Sequence, residues 1–238
     1  DPNKKPANFK EQFTMAMGEG IARVFLTPYN YKVWAYPPEE LNTEWLGERV
    51  AIPDVERVLR NIFNEEDDVS WGPNNRFRFP KTGGTGGIWI ECARRLPQDK
   101  IRYNQKVEFV DTANKKLRLA GGEEVLFEHL ISSMPLDDLV ACSDLKDELG
   151  PTADKLVYSN TNILGLGMKG TAPEHLKTKC WMYFPEDDNP FYRVTVFSNY
   201  SPNNVPDASK YWSLMAEVSE SPKKPVNQET LMEEVIQG

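Results

Sequence analysis

Four segments in the last third of the chain, "LVYSNTNILGLGMKG", "TKCWMYF", "FYRVTVFSNY" and "YWSLMAEVS", are rich in β-branched and aromatic residues and are broken repeatedly by Pro, Asn and Asp. That pattern predicts an antiparallel sheet with moderately long loops from Leu156 onward. Read as one continuous strand, the third segment puts Phe191, Arg193, Thr195 and Phe197 on a single face. An arginine flanked by aromatics on a strand face is a surface able to grip an anion attached to a flat ring.

The first seventy residues have a different rhythm. Phe9, Phe13, Met17, Ile21 and Val24 recur at steps of three and four, which predicts one amphipathic helix over residues 8–26, capped by Asn8 with Glu11 at the capping-box position. After a break at Thr27-Pro28, short helical patterns are expected over 39–46 and 55–63, divided by prolines.

Between these regions, Ile88 to Leu96 reads as a helix starting directly after the glycines, and "KVEFVD", "KKLRLA" and "EVLFEHLISSM" read as short strands joined by tight turns. The expected fold is mixed, α+β with α/β character. It comprises a helical region (1–69), a glycine loop with helix and β-ribbon (70–150), and an antiparallel sheet (151–238).

The charge balance narrows the partners. Against 36 acidic residues stand 28 basic ones, for a net charge of -8, and the basic residues are scattered. A nucleic-acid surface needs a basic stripe, so none is expected. The three cysteines, Cys92, Cys142 and Cys180, match neither a disulfide scaffold nor a zinc site, and read as reduced thiols of a cytoplasmic protein.

No apolar run approaches the roughly 18 to 20 residues that span a bilayer, and "DPNKKPANFK" lacks the apolar core of a signal peptide. The closing "ETLMEEVIQG" reads as the opening turns of a helix, as in an excerpt from a longer chain.

Candidates for direct chemistry are few. His129 and His175 stand apart, with no Ser, Cys and His pattern around them, and no metal-ligand set is apparent. The acidic runs Glu65 to Asp68 and Glu186 to Asp188 read as solvated loops. "GGTGG" before a helix lets backbone approach a neighbour closely, but it is neither GxGxxG nor a P-loop ending in GK[ST]. In place of these the chain offers loop residues of the types that stack on a base and hold a diphosphate: Asn30, Trp34, Arg49, Asn74, Tyr183, Arg193 and Tyr200.

Read in order, "GEGIARVFLTPYNYKVWA", "WLGERVA", "WGPNNRFRFPKTGGTGGIW", "CWMYFPEDDNPFYRVTVFSNYSP" and "YWSLMAEVSESPKKPVNQETL" closely resemble the eukaryotic-type UDP-galactopyranose mutases over nearly the whole chain. The first and the glycine segment are shared more loosely with flavin-dependent amine oxidoreductases. The resemblance implies interconversion of UDP-galactopyranose and UDP-galactofuranose with reduced FAD, through a covalent adduct between flavin N5 and the sugar. UDP leaves, the ring opens and recloses as a furanose, and UDP returns, so the protein's tasks are positioning and electrostatics.

By position, the resemblance makes Phe25, Asn30 and Trp34 uridine contacts, with Arg49 and Asn74 on two loops that close over the substrate. It makes Arg193 the partner of the diphosphate, with Tyr183 and Tyr200 as hydroxyl-donating neighbours. Arg49 and Arg193 carry the catalytic roles. Gly83, Gly84, Gly86 and Gly87 are to pack against the flavin, and Val107 is to contact the FAD adenine.

The family's GxGxxG loop, which holds the FAD pyrophosphate, is absent, as is its C-terminal segment. The expectation is therefore a central piece of a longer enzyme, inactive alone, with UDP-galactose as small-molecule partner and a homo-oligomer left open. Two rival readings stay open. One is a flavin-dependent amine oxidoreductase; the other is a non-catalytic module that binds a nucleotide-sugar or a protein.

Overall fold

Asn8 starts the first helix as its sequence predicts. In the computed structural model, which describes residues 5–46, 54–66 and 77–238, the Asn8 side chain accepts from the Glu11 amide and opens α1 (Phe9–Met17). Glu11 reaches back to the Ala7 amide, 2.6 Å away.

The predicted single helix does not continue to Leu26. Gly18 adopts φ +86 and ends α1, and the chain re-enters helix as α2 (Glu19–Ile21), a π-helical turn (Ala22–Leu26) and α3 (Thr27–Trp34). Phe9, Phe13 and Ala22 are buried, whereas Ile21 and Val24 are exposed. Thr27-Pro28 is no break, because Pro28 lies in the first turn of α3, where its missing N–H costs least. Residues 39–46 form no α-helix; there is only a 3₁₀ turn, Pro38–Glu40. Leu46 and the flanking Trp34 and Trp45 close a small core on Phe9 and Phe13. Downstream, α4 (Val55–Asn64) is capped by Asp54.

The helix α5 (Gly84–Arg94) starts earlier than its apolar residues predict, with Gly84, Gly86 and Gly87 inside its first turn. The division between two compact units falls inside α5: one unit comprises residues 1–89 and 159–238, the other 90–158.

In the second unit, β1 (Val107–Asp111), β2 (Lys116–Leu119) and β3 (Glu124–Leu126) form an antiparallel ribbon in that order. β3 stops at Leu126, well short of the expected "EVLFEHLISSM" strand. Two helices not legible in the sequence follow, α6 (Leu136–Ala141) and α7 (Lys146–Ala153). Val110, Leu119, Val140 and Ala153 are buried in this unit. Asp144 ties the β1–β2 turn by accepting from the Thr112 and Ala113 amides and the Thr112 hydroxyl. The Thr112 amide leads in holding its carboxyl below the ordinary 3.8.

The first unit contains the predicted sheet, with order β4 (Asn160–Lys169), β7 (Tyr211–Glu220), β6 (Arg193–Thr195) and β5 (Trp181–Tyr183), all antiparallel. Leu164, Val194, Ala216 and Val218 turn to one face and pack with Phe191 against Leu231 and Val235 of α8 (Leu231–Gln237). Each buried Leu, Val or Phe among these stabilises the fold by about 1.5–3 kcal/mol.

Polar tethers join α3 and the residue after it to the sheet and its loops. The Ser221 hydroxyl donates to the Ala35 carbonyl at 2.5 Å and the Tyr31 hydroxyl to the Lys223 carbonyl at 2.9 Å. Lys32 Nζ donates to the carbonyls of Glu186 and Asn189 and to Asn189 Oδ1. Burial, with Lys224 nearby, pushes the Lys32 ammonium down to about 8.

The glycine turn is bolted to the loop after β6. Lys81 O accepts from Ser201 Oγ at 2.6 Å and from Asn203 Nδ2 at 2.9 Å. Gly83 and Gly84 have φ +79 and +61, and a Cβ at Gly83 would come 3.3 Å from Gly87 Cα. Around Gly86 nothing beyond the helix's own backbone and chain neighbours lies within 4 Å of an added Cβ.

Two outcomes follow from this geometry. Gly83→Ala should lose about 1–2 kcal/mol, the cost of a left-handed non-glycine residue, while Gly86→Ala should be neutral or gain up to about 1 kcal/mol from helix propensity; denaturant titration of the two variants reads the contrast. Asp144 has a folded pKa below its unfolded one, so its stabilisation is complete above the unfolded value and disappears as pH falls through the folded value. Asp144→Ala should therefore melt below wild type at neutral pH, and the gap should close in acid, as thermal melts across pH will record.

Candidate functional site

Antiparallel pairing sets Tyr183 on β5, Arg193 on β6 and Glu217 on β7 side by side across three strands. The Tyr192 amide also donates to the Glu217 carbonyl, at 3.0 Å. Tyr192, just before β6, and Arg193 thus both face Glu217, the arrangement of a β-bulge. The bulge puts the Tyr192 side chain on the same side as Arg193 and turns Phe191 into the α8 core. This corrects the expected alternation: Phe191 does not share the Arg193 face, and Phe197 lies in a 3₁₀ turn, Phe197–Asn199, beyond the strand.

Glu217, with a side chain 5% exposed, takes three donors. Arg193 Nε reaches Oε1 at 2.9 Å, Arg193 Nη2 reaches Oε2 at 2.8 Å, and the Tyr192 hydroxyl reaches Oε2 at 2.6 Å. Burial works against the guanidinium's charge, but the Glu217 hydrogen bonds and charge outweigh it and hold Arg193 above its ordinary value. The Tyr192 hydroxyl, buried and bonded to a carboxylate, is pushed up to about 12.

Aromatic rings enclose this pair. The Arg193 guanidinium carbon is 5.9 Å from the ring centres of both Trp181 and Tyr192. Tyr29 of α3 meets Tyr183 edge-on at 5.5 Å and Tyr192 at 6.4 Å. Phe25, one turn before it, stacks on Tyr29 with centres 5.2 Å apart and 8° between planes. Burial first, then Tyr183, pushes the Tyr29 hydroxyl well up. Burial likewise raises the hydroxyls of Tyr183, where Arg193 opposes the rise, and of Tyr200. Tyr200 packs against Trp181, Phe77, Phe79 and Phe197.

The result is a partly exposed arginine, neutral phenols and stacked rings on one sheet face. Such a surface can hold an anion by charge-assisted hydrogen bonds and lay a planar ring against an aromatic wall. Among the described residues no group of three or more His, Cys, Asp or Glu could hold a metal ion, and no helix is long and apolar enough to cross a membrane.

Of the residues singled out from the sequence, Phe25, Tyr183, Arg193 and Tyr200 join this network, directly or through Tyr29 and Trp181. Asn30 sits on the same helix with its amide on the Leu26 carbonyl, 2.8 Å away, and Trp34 packs on Trp45. Gly83, Gly84, Gly86 and Gly87 make the turn entering α5, and Val107 begins β1 in the second unit. Arg49 and Asn74 lie outside the described residues.

The network also contains Tyr29, Trp181, Tyr192 and Glu217, which the sequence reading left unassigned. Glu217 had a signal: along β7 the apolar Trp212, Leu214, Ala216 and Val218 alternate with Ser213, Met215, Glu217 and Ser219. A lone carboxylate among such residues needs a counter-ion.

No family model matches the chain. A crystal structure of reduced UDP-galactopyranose mutase is 51% identical over 98% of this chain, with a TM-score of 0.92. The match covers 51% of that protein, so the chain spans about half its length. A structure of a Pyrococcus furiosus protein is 15% identical over 56% of this chain and 32% of its own, with a TM-score of 0.44, too low to carry any argument. In sequence and in fold alike, the chain is the counterpart of a UDP-galactopyranose mutase over the half of that protein that it spans.

Proposed function

We propose that this chain forms the substrate-holding part of an enzyme that interconverts UDP-galactopyranose and UDP-galactofuranose, an isomerase dependent on FAD and acting in the cytoplasm. The observation that carries the reading is the Arg193 side chain, one-third exposed, with Glu217 on one edge of its guanidinium and aromatic rings around it, in a chain 51% identical to a UDP-galactopyranose mutase. In this reading residues 1–69 and 151–238 hold the nucleotide-sugar and residues 70–150 belong to the FAD domain.

Each residue then has a task. Arg193 meets the diphosphate, and its positive charge stabilises the negative charge that gathers there as the bond to the sugar breaks. Tyr183 and Tyr200, kept protonated by burial, donate hydrogen bonds to the same group. Phe25, stacked on Tyr29, offers its ring to the uracil, with Asn30 and Trp34 further along the helical segment. Arg49 and Asn74 are proposed to close over the substrate.

The residues near the glycine turn fit a flavin. The first turn of α5 is open at Gly86, where an added Cβ would meet nothing within 4 Å beyond the helix's own backbone and chain neighbours, so a flat ring can approach the backbone closely. Gly83, Gly84, Gly86 and Gly87 would lie along it, and Val107 would meet the adenine. Reduced flavin, when bound, supplies the nucleophilic N5 for exchange at the anomeric carbon. The chain's own residues hold the leaving diphosphate close enough to return. Leu126, Ile131 and Val157, exposed in the second unit, are apolar surface that the rest of an FAD domain would cover.

Titration with UDP, followed by tryptophan fluorescence, should show saturable binding. Arg193→Ala should weaken it about ten- to a hundred-fold, the loss of hydrogen bonds to a charged group, and unchanged affinity would sink the diphosphate assignment. In the complete enzyme with reduced flavin, UDP-galactopyranose should yield furanose product with no net flavin oxidation. Oxidised substrate with flavin turnover would favour an amine oxidoreductase, and UDP binding with no flavin bound would favour a non-catalytic module.

A further inference from the structure

We infer that Glu217, seconded by Tyr192, is the positioning residue for Arg193: it fixes the guanidinium in one orientation and so sets which edge of it an anion can meet. The inference rests on the reading of Arg193 as the diphosphate partner. It adds a residue pair outside the set singled out from the sequence.

A guanidinium offers its five N–H groups in a planar fork, and an exposed arginine samples many rotamers. Here that freedom is removed from one side. Both carboxylate oxygens of Glu217 are engaged, Oε1 by Nε at 2.9 Å and Oε2 by Nη2 at 2.8 Å. The carboxylate is held in turn by the Tyr192 hydroxyl at 2.6 Å, and the Glu217 backbone is locked in the middle of the sheet, with β4 on one side and β6 on the other. Trp181 and Tyr192 flank the guanidinium at 5.9 Å each. Nη1 takes no part in the bonds to Glu217, and the Tyr183 hydroxyl lies close to the guanidinium, so on this inference an anion meets the fork on the side away from Glu217, beside Tyr183.

The bulge at Tyr192 is what makes this possible. Without it Tyr192 would fall on the α8 face with Val194, and Glu217 would lose its third donor. The buried pair costs desolvation, which is recovered only where the geometry satisfies the charges on both sides. A site that spends this on orientation has a donor already aimed before ligand arrives.

Positioning differs from simple charge balance in the sign of the expected effect. If Glu217 only neutralised Arg193, its removal would strengthen binding of an anion. If it positions Arg193, removal weakens binding to the diphosphate and leaves the nucleoside contacts intact. The experiment compares UDP with uridine on the full chain, for wild type, Glu217→Gln, Tyr192→Phe and Arg193→Ala.

Glu217→Gln should bind UDP about tenfold more weakly, in the range for a lost charge-assisted hydrogen bond, with uridine affinity unchanged, and Tyr192→Phe should give a smaller loss of the same kind. Tighter or unchanged UDP binding by Glu217→Gln overturns the inference while leaving the Arg193 reading in place. Equal weakening of UDP and uridine overturns it in favour of a general structural role. Unchanged UDP binding by Arg193→Ala, or no UDP binding by wild type, overturns the Arg193 reading itself.

A second measurement needs no ligand. The Arg193 Nε–H, seen by nitrogen-edited NMR of arginine side chains, should exchange slowly in wild type and rapidly in Glu217→Gln. Equal exchange in the two proteins, each folded by circular dichroism, overturns the positioning role.

Discussion

A buried carboxylate must be answered, and in this protein the answer organises one whole face of a sheet. Glu217 sits on the inner strand β7 with its side chain 5% exposed, and Arg193 of β6 with Tyr192 just before that strand supply the donors. Removing either partner alone would strand the other in a poorly hydrated place. The bulge, the side-chain direction of Tyr192 and the orientation of Arg193 are therefore linked. The opposite face is governed by ordinary burial, with Val194, Ala216 and Val218 against α8. One strand thus separates a dry apolar core from a polar one.

The helical segment completes the polar face from the other side. Its attachment includes directional hydrogen bonds beside the ring contacts of Tyr29. Lys32 reaches two carbonyls and an amide oxygen in the loop after β5, and the Ser221 hydroxyl reaches the end of α3. Lys32 takes an acidic loop, "PEDDN", and turns its carbonyls inward onto a cation. Because these tethers are directional, they fix the rotation of α3 and with it the place of Tyr29 and Phe25 above the sheet. Apolar packing alone tolerates sliding; three oxygens on one ammonium do not.

Much of the fold was legible in the sequence because its signals are local. Asn8 caps the helix it precedes, the strands after Leu156 fall where β-branched and aromatic residues cluster, and the ribbon strands are short and joined by tight turns. The errors have specific causes. Ile21 and Val24 continue the period of α1, but Gly18 with positive φ breaks the axis, so periodicity across it meant nothing. Pro28 reads as a stop, yet the first turn of a helix accommodates it. Phe191 and Arg193 alternate perfectly in sequence, and a single bulge separates them in space. Of the candidate site, the aromatic and arginine members were legible as residue types and Glu217 carried the signal of a carboxylate in need of a counter-ion, while its pairing with Arg193 was not legible, since the two lie 24 positions apart.

The residue order alone determined the alternation of helix, ribbon and sheet, the aromatic and arginine content of the last third, and the kinship with UDP-galactopyranose mutases. These are set by short-range periodicity and by motifs contiguous in the chain. Only the tertiary structure decided that Tyr29, Tyr183, Tyr192, Arg193 and Glu217 come together on one face, that burial pushes the three phenols up, and which edge of the guanidinium is occupied. The reason is physical: burial, cross-strand register and the direction of a hydrogen bond are properties of neighbours in space, and the sequence names residues without saying which of them will be neighbours.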